Sequence, residues 1–227
     1  NTDPQQRLLL EVSWECIEDS GMAIEQLKNT KTGVFVGMSN TEFQRISFAD
    51  SRNLSMYTAT GSSPSVAAGR LSYLWDLKGP AITIDTACSS SLVAVHQACD
   101  SLRRRESDFA ISGGVNLIVT PDGTTALNRG SMLAADGRCK TFDNEANGYV
   151  RGEGCGVIML QRMEDAKRDG HTVYAVIKGS SINQDGNTVG LTAPNGQAQQ
   201  NLIHAALKNA GIKPHEISYI ETHGTGT

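Results

Sequence analysis

Apolar positions fall into short runs separated by polar stretches, and their period switches repeatedly between the two of a strand and the three to four of a helix. Leu8, Leu9, Val12, Cys16 and Ile17 recur at helical spacing behind Asp3 and Pro4, a capping residue and a first-turn proline. A helix is therefore predicted to run to Ser20 and stop at Gly21. The run 33–37 reads as a strand, 39–60 as a polar surface loop, and 65–75 as a second helix. After the turn Lys78-Gly79-Pro80, residues 81–85 read as a buried strand. From Ser89 the apolar positions Leu92, Val95, Cys99 and Leu102 predict another helix. Residues 109–119 read as a central strand closed by Pro121, followed by a glycine- and aspartate-containing connection over 132–152. A strand at 156–160, a short helix at 163–168, a strand at 173–179, a loop over 181–196, a helix at 198–210 ended by Gly211, and a strand at 217–221 complete the pattern. Strands alternating with helices predict α/β layers around a parallel or mixed sheet.

Composition narrows the function classes. The 227 residues are 39% apolar and 19% charged, with a net charge of −4, the balance of a soluble globular piece. A mildly acidic chain whose one basic cluster is Arg103-Arg104-Arg105 has no track for phosphates, so nucleic acid is not an expected partner. The longest apolar runs are strand-sized, far below the ~20 residues of a membrane helix, and no leader-like segment opens the chain, so neither membrane insertion nor secretion is expected. Cys16, Cys88, Cys99, Cys139 and Cys155 are odd in number and include no C-x-x-C pair, which points away from a disulfide framework or zinc knuckle and toward a reducing cytoplasm. With no initiator Met, and with its last residue directly after His223-Gly224-Thr225-Gly226, the chain reads as an excerpt of something longer.

Cys88, in Asp85-Thr86-Ala87-Cys88-Ser89-Ser90-Ser91, falls where a predicted strand hands over to a predicted helix. Unpaired N–H groups and the helix dipole favour a thiolate there and offer donors for an oxyanion. The alternative is that a free cysteine is simply a small buried residue. That reading is kept for Cys16 and Cys99, which fall on apolar helix stripes, and for Cys139 and Cys155, which nothing singles out. His223 follows a predicted strand and precedes a turn of small residues, which leaves an imidazole accessible as a partner for Cys88. His96 reads as a packing or hydrogen-bonding residue of the helix after Cys88; His171, His204 and His215 receive no role.

Gly113-Gly114 and the run Gly152-Glu153-Gly154-Cys155-Gly156 miss the spacing of a phosphate cradle and read as close backbone packing. Asp136, Asp143, Glu145 and Glu153 miss the calcium-loop pattern and read as a solvated or arginine-paired loop, with Arg138 and Arg151 at hand. No metal site is expected.

Asp85-Thr86-Ala87-Cys88-Ser89-Ser90-Ser91-Leu92, followed by Ser112-Gly113-Gly114-Val115-Asn116, resembles the nucleophile region of β-ketoacyl synthase domains of modular type I polyketide synthases. Asp3-Pro4-Gln5-Gln6-Arg7, Asp136-Gly137-Arg138-Cys139-Lys140, Gly148-Tyr149-Val150-Arg151-Gly152-Glu153-Gly154, Asn183-Gln184-Asp185-Gly186, Leu191-Thr192-Ala193-Pro194-Asn195-Gly196 and the His223 motif agree in order and spacing. The resemblance implies a thiolase-like α/β fold of layered α-β-α-β-α architecture, here incomplete. Residues 1–170 would form most of the first half, carrying the nucleophile, and 171–227 the beginning of the second. The chain would end at the family's first histidine, ahead of its lysine and second histidine.

The implied activity is acyl transfer to Cys88 and then decarboxylative Claisen condensation with a malonyl-type extender, in polyketide or fatty acid chain elongation. The resemblance carries over Cys88 and His223 as catalytic residues, Thr225 and Thr227 as contacts to the pantetheine arm, and Leu127 as a border of the acyl pocket. No directly bound cofactor is implied; substrates arrive on the phosphopantetheine of an acyl carrier protein. A homodimer with residues 81–85 at its interface, and an adjacent acyltransferase domain in the full-length protein, are also implied. Two alternatives stay open: a cysteine thioesterase or hydrolase using Cys88 and His223, and a non-elongating domain that holds an acyl group as a docking gate for carriers.

Overall fold

The computed structural model describes residues 2–227. It divides into two compact units, one of residues up to Arg162 together with Thr222–Thr227, the other of Met163–Glu221.

The first unit is built on a four-stranded sheet of β1 (Thr32–Gly37), β2 (Ala81–Ile84), β3 (Phe109–Asn116) and β4 (Gly154–Gln161), in the order β2-β1-β3-β4. β1 runs parallel to β2 and β3, and β4 pairs antiparallel to β3. Such a mixed α/β sheet fits a thiolase-like fold.

β1 is buried at every position, because helices cover both faces of the sheet. Val34, Val36, Ile111 and Val115 share one core with Leu9 and Ile17 of α1 (Pro4–Asp19) and Ala67, Ala68 and Leu71 of α5 (Ser65–Trp75). Phe35 and Ala110 point the other way, toward Ala94, Ala98 and Leu102 of α6 (Ser90–Arg103). The alanines of that second core let α6 lie close to the sheet.

α1 starts as its sequence predicts: Asp3 accepts the Gln5 N–H at 2.8 Å as N-cap, and Pro4 occupies the first turn. Its buried stripe is less apolar than the pattern implies, since Gln5, Gln6 and Ser13 are buried beside Leu9 and Ile17. The glutamines are kept inside by distant partners. Gln5 donates to the Asn40 carbonyl and accepts the Leu117 N–H, while Gln6 donates to the Ser63 carbonyl and accepts from Arg70. Burial pushes the Asp3 carboxyl above its ordinary value, against the opposing effects of Gln5 and Arg7.

Three expectations are corrected. The stretch 39–60 is largely helical, with α3 (Glu42–Phe48), a 3-10 turn at Ser51–Asn53 and α4 (Met56–Ser62). Its helices are short, with side-chain caps on the 3-10 turn (Asp50) and on α4 (Ser55), and periodicity over seven residues is too weak to reveal them. β2 is an edge strand with Ala81 and Ile82 exposed, so its apolar run does not signal burial. Residues 173–179 and 217–221 have strand composition yet belong to none of the described strands. A strand needs a ladder partner, which local sequence does not specify.

α2 (Ile24–Leu27) and α7 (Asp122–Arg129) complete the helices of the first unit. The second contains α8 (Met163–Asp169) and α9 (Gly196–Ala210). The cap of α9 is Asn195, which accepts from Gln197 and Ala198, and Gly211 ends the helix at φ +66° as its sequence predicts. No helix among the described residues is long and apolar enough to cross a membrane.

Candidate active site

Cys88 lies between the end of β2 and the start of α6 and is exposed. Two glycines determine how close α6 comes to the sheet there. A Cβ on Gly37, at the end of β1, would stand 2.6 Å from the Ser91 nitrogen, and one on Gly114 of β3 would stand 2.8 Å from the Ser91 Cβ. The first turn of α6 is thus seated on the C-terminal ends of two parallel strands, where ligands of open α/β sheets bind. Its N-terminal amides and dipole favour negative charge beside Cys88.

The turn itself is tightly specified. Ala87 has φ +55°, in the left-handed region, a conformation that costs a non-glycine residue about 1–2 kcal/mol. The Ala87 N–H donates to Asp85, Thr86 and Ser89 share a hydroxyl hydrogen bond of 2.8 Å, and the Ser89 hydroxyl also reaches the Thr86 carbonyl. The Ser90 hydroxyl lies 2.6 Å from the Ala87 carbonyl.

The other cysteines separate from Cys88 by environment. Burial pushes the Cys16 and Cys99 thiols up and raises Cys155 to about 11, which keeps them protonated and unreactive at neutral pH. Cys139 is exposed, and its sulfur accepts the Val150 N–H at 3.3 Å. His96 lies on α6 with Nε2 3.5 Å from Asp100 Oδ2, a contact within the helix.

His223 is exposed and belongs to the same compact unit as Cys88. Among the described residues no hydrogen bond joins the two. The turn after His223 is strapped to the 132–150 segment. Thr141 donates to the Gly224 carbonyl, and the Gly148 N–H donates to the Gly226 carbonyl at 3.2 Å. Gly224 and Gly226 have φ +57° and +74°, and a Cβ on Gly226 would stand 2.9 Å from the Lys140 nitrogen, so glycine is required there on both counts. Thr225 and Thr227 face each other with hydroxyls 2.9 Å apart.

Leu127 is half-buried on α7. What positions that helix went unnoticed in the sequence. Glu42 accepts the Val119 and Thr120 N–H groups at 2.7 and 2.8 Å and lies 3.8 Å from Arg151, which in turn donates to Thr124 of α7. Glu153 accepts the adjoining Ile118 N–H at 2.6 Å. Burial works to raise the Glu42 carboxyl, but the Thr120 and Val119 amides, Asn40 and Arg151 together hold it below its ordinary value. Val119 and Thr120 lie 77 and 78 positions from Glu42, beyond any local signal. The expected acidic loop is correspondingly split: Asp136 pairs with Lys140 at 2.8 Å rather than with an arginine, while Arg151 serves Glu42.

The sequence profile of the β-ketoacyl synthase N-terminal domain matches residues 1–166, and that of the C-terminal domain matches 174–227. The chain belongs to the β-ketoacyl synthase family. Among curated relatives it is 52% identical over 227 residues to one component of the phenolphthiocerol/phthiocerol polyketide synthase of Mycobacterium tuberculosis, covering 99% of this chain and 10% of that protein. It is 49% identical over 225 residues to another component of the synthase from the same species, covering 99% of this chain and 15% of that protein. Among solved structures it is similar to the ketosynthase from module 6 of the bacillaene synthase of Bacillus subtilis 168, with a TM-score of 0.92 and 43% identity, covering 100% of this chain and 39% of that one. The oxazolomycin ketosynthase domain of Streptomyces albus JA3453 gives a TM-score of 0.91 at 38% identity with the same coverage. This ketosynthase segment thus spans a small part of its curated relatives and about two fifths of the solved domains.

Proposed function

We propose that the chain is the nucleophile-bearing part of a ketosynthase that elongates acyl chains in polyketide assembly, with Cys88 as the acyl acceptor. The observation that carries this reading is the exposed Cys88 at the start of α6, on a left-handed turn at the C-terminal edge of parallel strands.

In the first half-reaction the Cys88 sulfur attacks the carbonyl of an acyl thioester; a new S–acyl bond forms and the carrier thiolate leaves. In the second, a malonyl-type thioester loses CO₂, and the electron pair of the broken C–C bond forms a carbanion that attacks the acyl carbonyl. The Cys88 thiolate then departs. A thiolate suits both steps, being a strong nucleophile and a good leaving group. His223 would donate a hydrogen bond to the developing enolate oxygen. Thr225 and Thr227 would steady the pantetheine arm, and Leu127 would border the acyl chain.

The reading includes delivery of both substrates on the phosphopantetheine of an acyl carrier protein, with no other bound cofactor, and a neighbouring acyltransferase domain in the full-length protein. It also includes a domain boundary near residue 170 and a homodimer formed through the exposed edge strand β2. A cytoplasmic location fits five free thiols, the state a reducing compartment maintains.

Incubating the full-length protein with an acyl thioester and a malonyl carrier thioester tests the function. CO₂ and a lengthened β-keto product are expected. Release of free acid alone would make the protein a hydrolase, and stable acylation without extension would make it a gate.

A further inference from the structure

Ser90 is buried to 5% exposure at the first position of α6, and its hydroxyl is used to capacity. It donates to the Ala87 carbonyl at 2.6 Å and accepts the Thr86 N–H at 2.8 Å, and the Ser39 hydroxyl lies 3.0 Å away. The Ser39 hydroxyl also lies 3.4 Å from the Ala87 carbonyl; a hydroxyl has one donor and two acceptor sites, so when Ser39 donates across the shorter contact to Ser90 all three sites of Ser90 are filled. Ser39 comes from the loop directly after β1, and Met38 in that loop is tied to the end of β2 by its N–H bond to the Ile84 carbonyl. The three bonds therefore clamp both peptide groups that flank the turn Thr86-Ala87, and join that turn to the neighbouring strand.

The clamp acts on the one residue of the turn whose backbone is held in the left-handed region. Ala87 at φ +55° immediately precedes Cys88. Relaxation of Ala87 to a right-handed or extended conformation would redirect the next Cα–Cβ bond, and with it the sulfur, away from the first turn of α6. Alanine does not favour the left-handed state by itself, and glycine, which would adopt it freely, is not used. The conformation is consequently imposed by its surroundings: Asp85 accepts the Ala87 N–H, and Ser90, with Ser39 behind it, is the side chain that holds both flanking peptide groups.

We propose that Ser90, backed by Ser39, is a positioning residue that holds Ala87 left-handed and thereby aims the Cys88 sulfur for acyl transfer, an inference that rests on Cys88 being the acyl acceptor. Ser90 is buried and acts through the backbone of Thr86 and Ala87.

The experiment measures acylation of Cys88 by an acyl thioester in the full-length protein and its Ser90→Ala, Ser39→Ala and Ser90→Ala/Ala87→Gly variants. Loss of the Ser90 hydroxyl leaves the Thr86 N–H without its acceptor. The expected result for Ser90→Ala is a roughly tenfold fall in the acylation kcat with KM unchanged. A glycine at 87 adopts the left-handed turn without the clamp, so Ser90→Ala/Ala87→Gly should recover most of that rate. Because a glycine at 87 also relieves the cost of a left-handed alanine and so stabilises the fold, the rates are compared well below the unfolding temperature of every variant, where a change in stability alone leaves the kcat of the folded protein unaltered. An unchanged kcat in Ser90→Ala, or a loss that Ala87→Gly does not recover, overturns the proposal. Should Ser90→Ala not fold, Ser39→Ala decides: Ser39 is exposed, and a fall of about two- to threefold in kcat is expected on removing the outermost of the three bonds, whereas no change refutes the clamp. Should the wild-type protein take up no acyl group at all, the reading of Cys88 as acyl acceptor fails instead. The relative alkylation rates of Cys88 by iodoacetamide in the same variants then still report whether Ser90 positions the sulfur.

Discussion

A cysteine's environment decides whether it is chemistry or packing. Cys16, Cys99 and Cys155 sit where burial raises their thiols, Cys155 to about 11, so at pH 8 the Cys155 thiolate is roughly a thousandth of the population. Cys88 and Cys139 are exposed. Brief treatment of the folded protein with a thiol-specific alkylating agent at pH 8 is therefore expected to label Cys88 and Cys139 and spare the other three; mass mapping that finds Cys155 modified as fast as Cys88 would contradict this. The distinction between Cys88 and the helix-stripe cysteines was readable from sequence, because a strand-to-helix handover and a helical period are local patterns. The exposure of Cys139 was not, since it depends on how the 132–150 segment folds back to bring Val150 to its sulfur. Ser90 and Ala87 were visible only as part of a recognisable string; their roles are a backbone angle and three hydrogen bonds.

At the scale of elements, the helix that follows Cys88 is located by what the strands omit. Gly37→Ala would drive a Cβ to 2.6 Å from the Ser91 nitrogen, and backbone does not yield as a side-chain tip does. A loss of about 1–3 kcal/mol of stability is expected, as for overpacking in a filled core, together with slower acylation of Cys88; urea unfolding checks the first and thioester uptake the second. The sequence reading of Gly113-Gly114 as close packing agrees with the structure, where a Cβ on Gly113 would meet the Gly156 oxygen at 2.1 Å. Gly156 enters that packing as the backbone Gly113 lies against, whereas the reading does not extend to Gly152 and Gly154, whose Cβ positions are open.

Glu42 illustrates what lay beyond the sequence, a carboxylate in a stretch read as surface loop that organises the approach to α7. Its carboxyl is held below the ordinary glutamate value of 4.5 in the folded state, so its contribution to stability is full above that value and is lost as pH falls through the lower folded value. Asp3 has the opposite sign, because its raised carboxyl is relieved by protonation as the pH drops. Glu42→Gln should therefore flatten the acid limb of the stability curve below about pH 4.5; urea midpoints that decline as steeply in the variant as in the wild type would show that the Glu42 contacts do not contribute.

At the scale of the molecule, β2 is one of the two edges of the described sheet, with Ile82 42% exposed. An exposed apolar edge is a pairing site that a soluble protein must cover or protect. If the proposed homodimer forms there, Ile82→Lys in the full-length protein should shift its sedimentation toward monomer, and an unchanged dimer would place the interface elsewhere. The α/β alternation and the order of motifs made the fold class legible from the chain alone, because both are carried by local periods and short strings. The mixed sheet order, the exposure of β2 and the strapping of the His223 turn by Thr141 and Gly148 depend on pairings across the chain that no window of sequence contains.

The claim on which the rest depends is that Cys88 accepts an acyl group, and peptide mapping by mass spectrometry after incubating the full-length protein with an acyl thioester tests it most directly. A single acyl adduct on the peptide containing Cys88, absent from Cys88→Ala at an unchanged unfolding temperature, is the expected result. An adduct on Cys139 instead, or none on a folded wild-type protein, would contradict it.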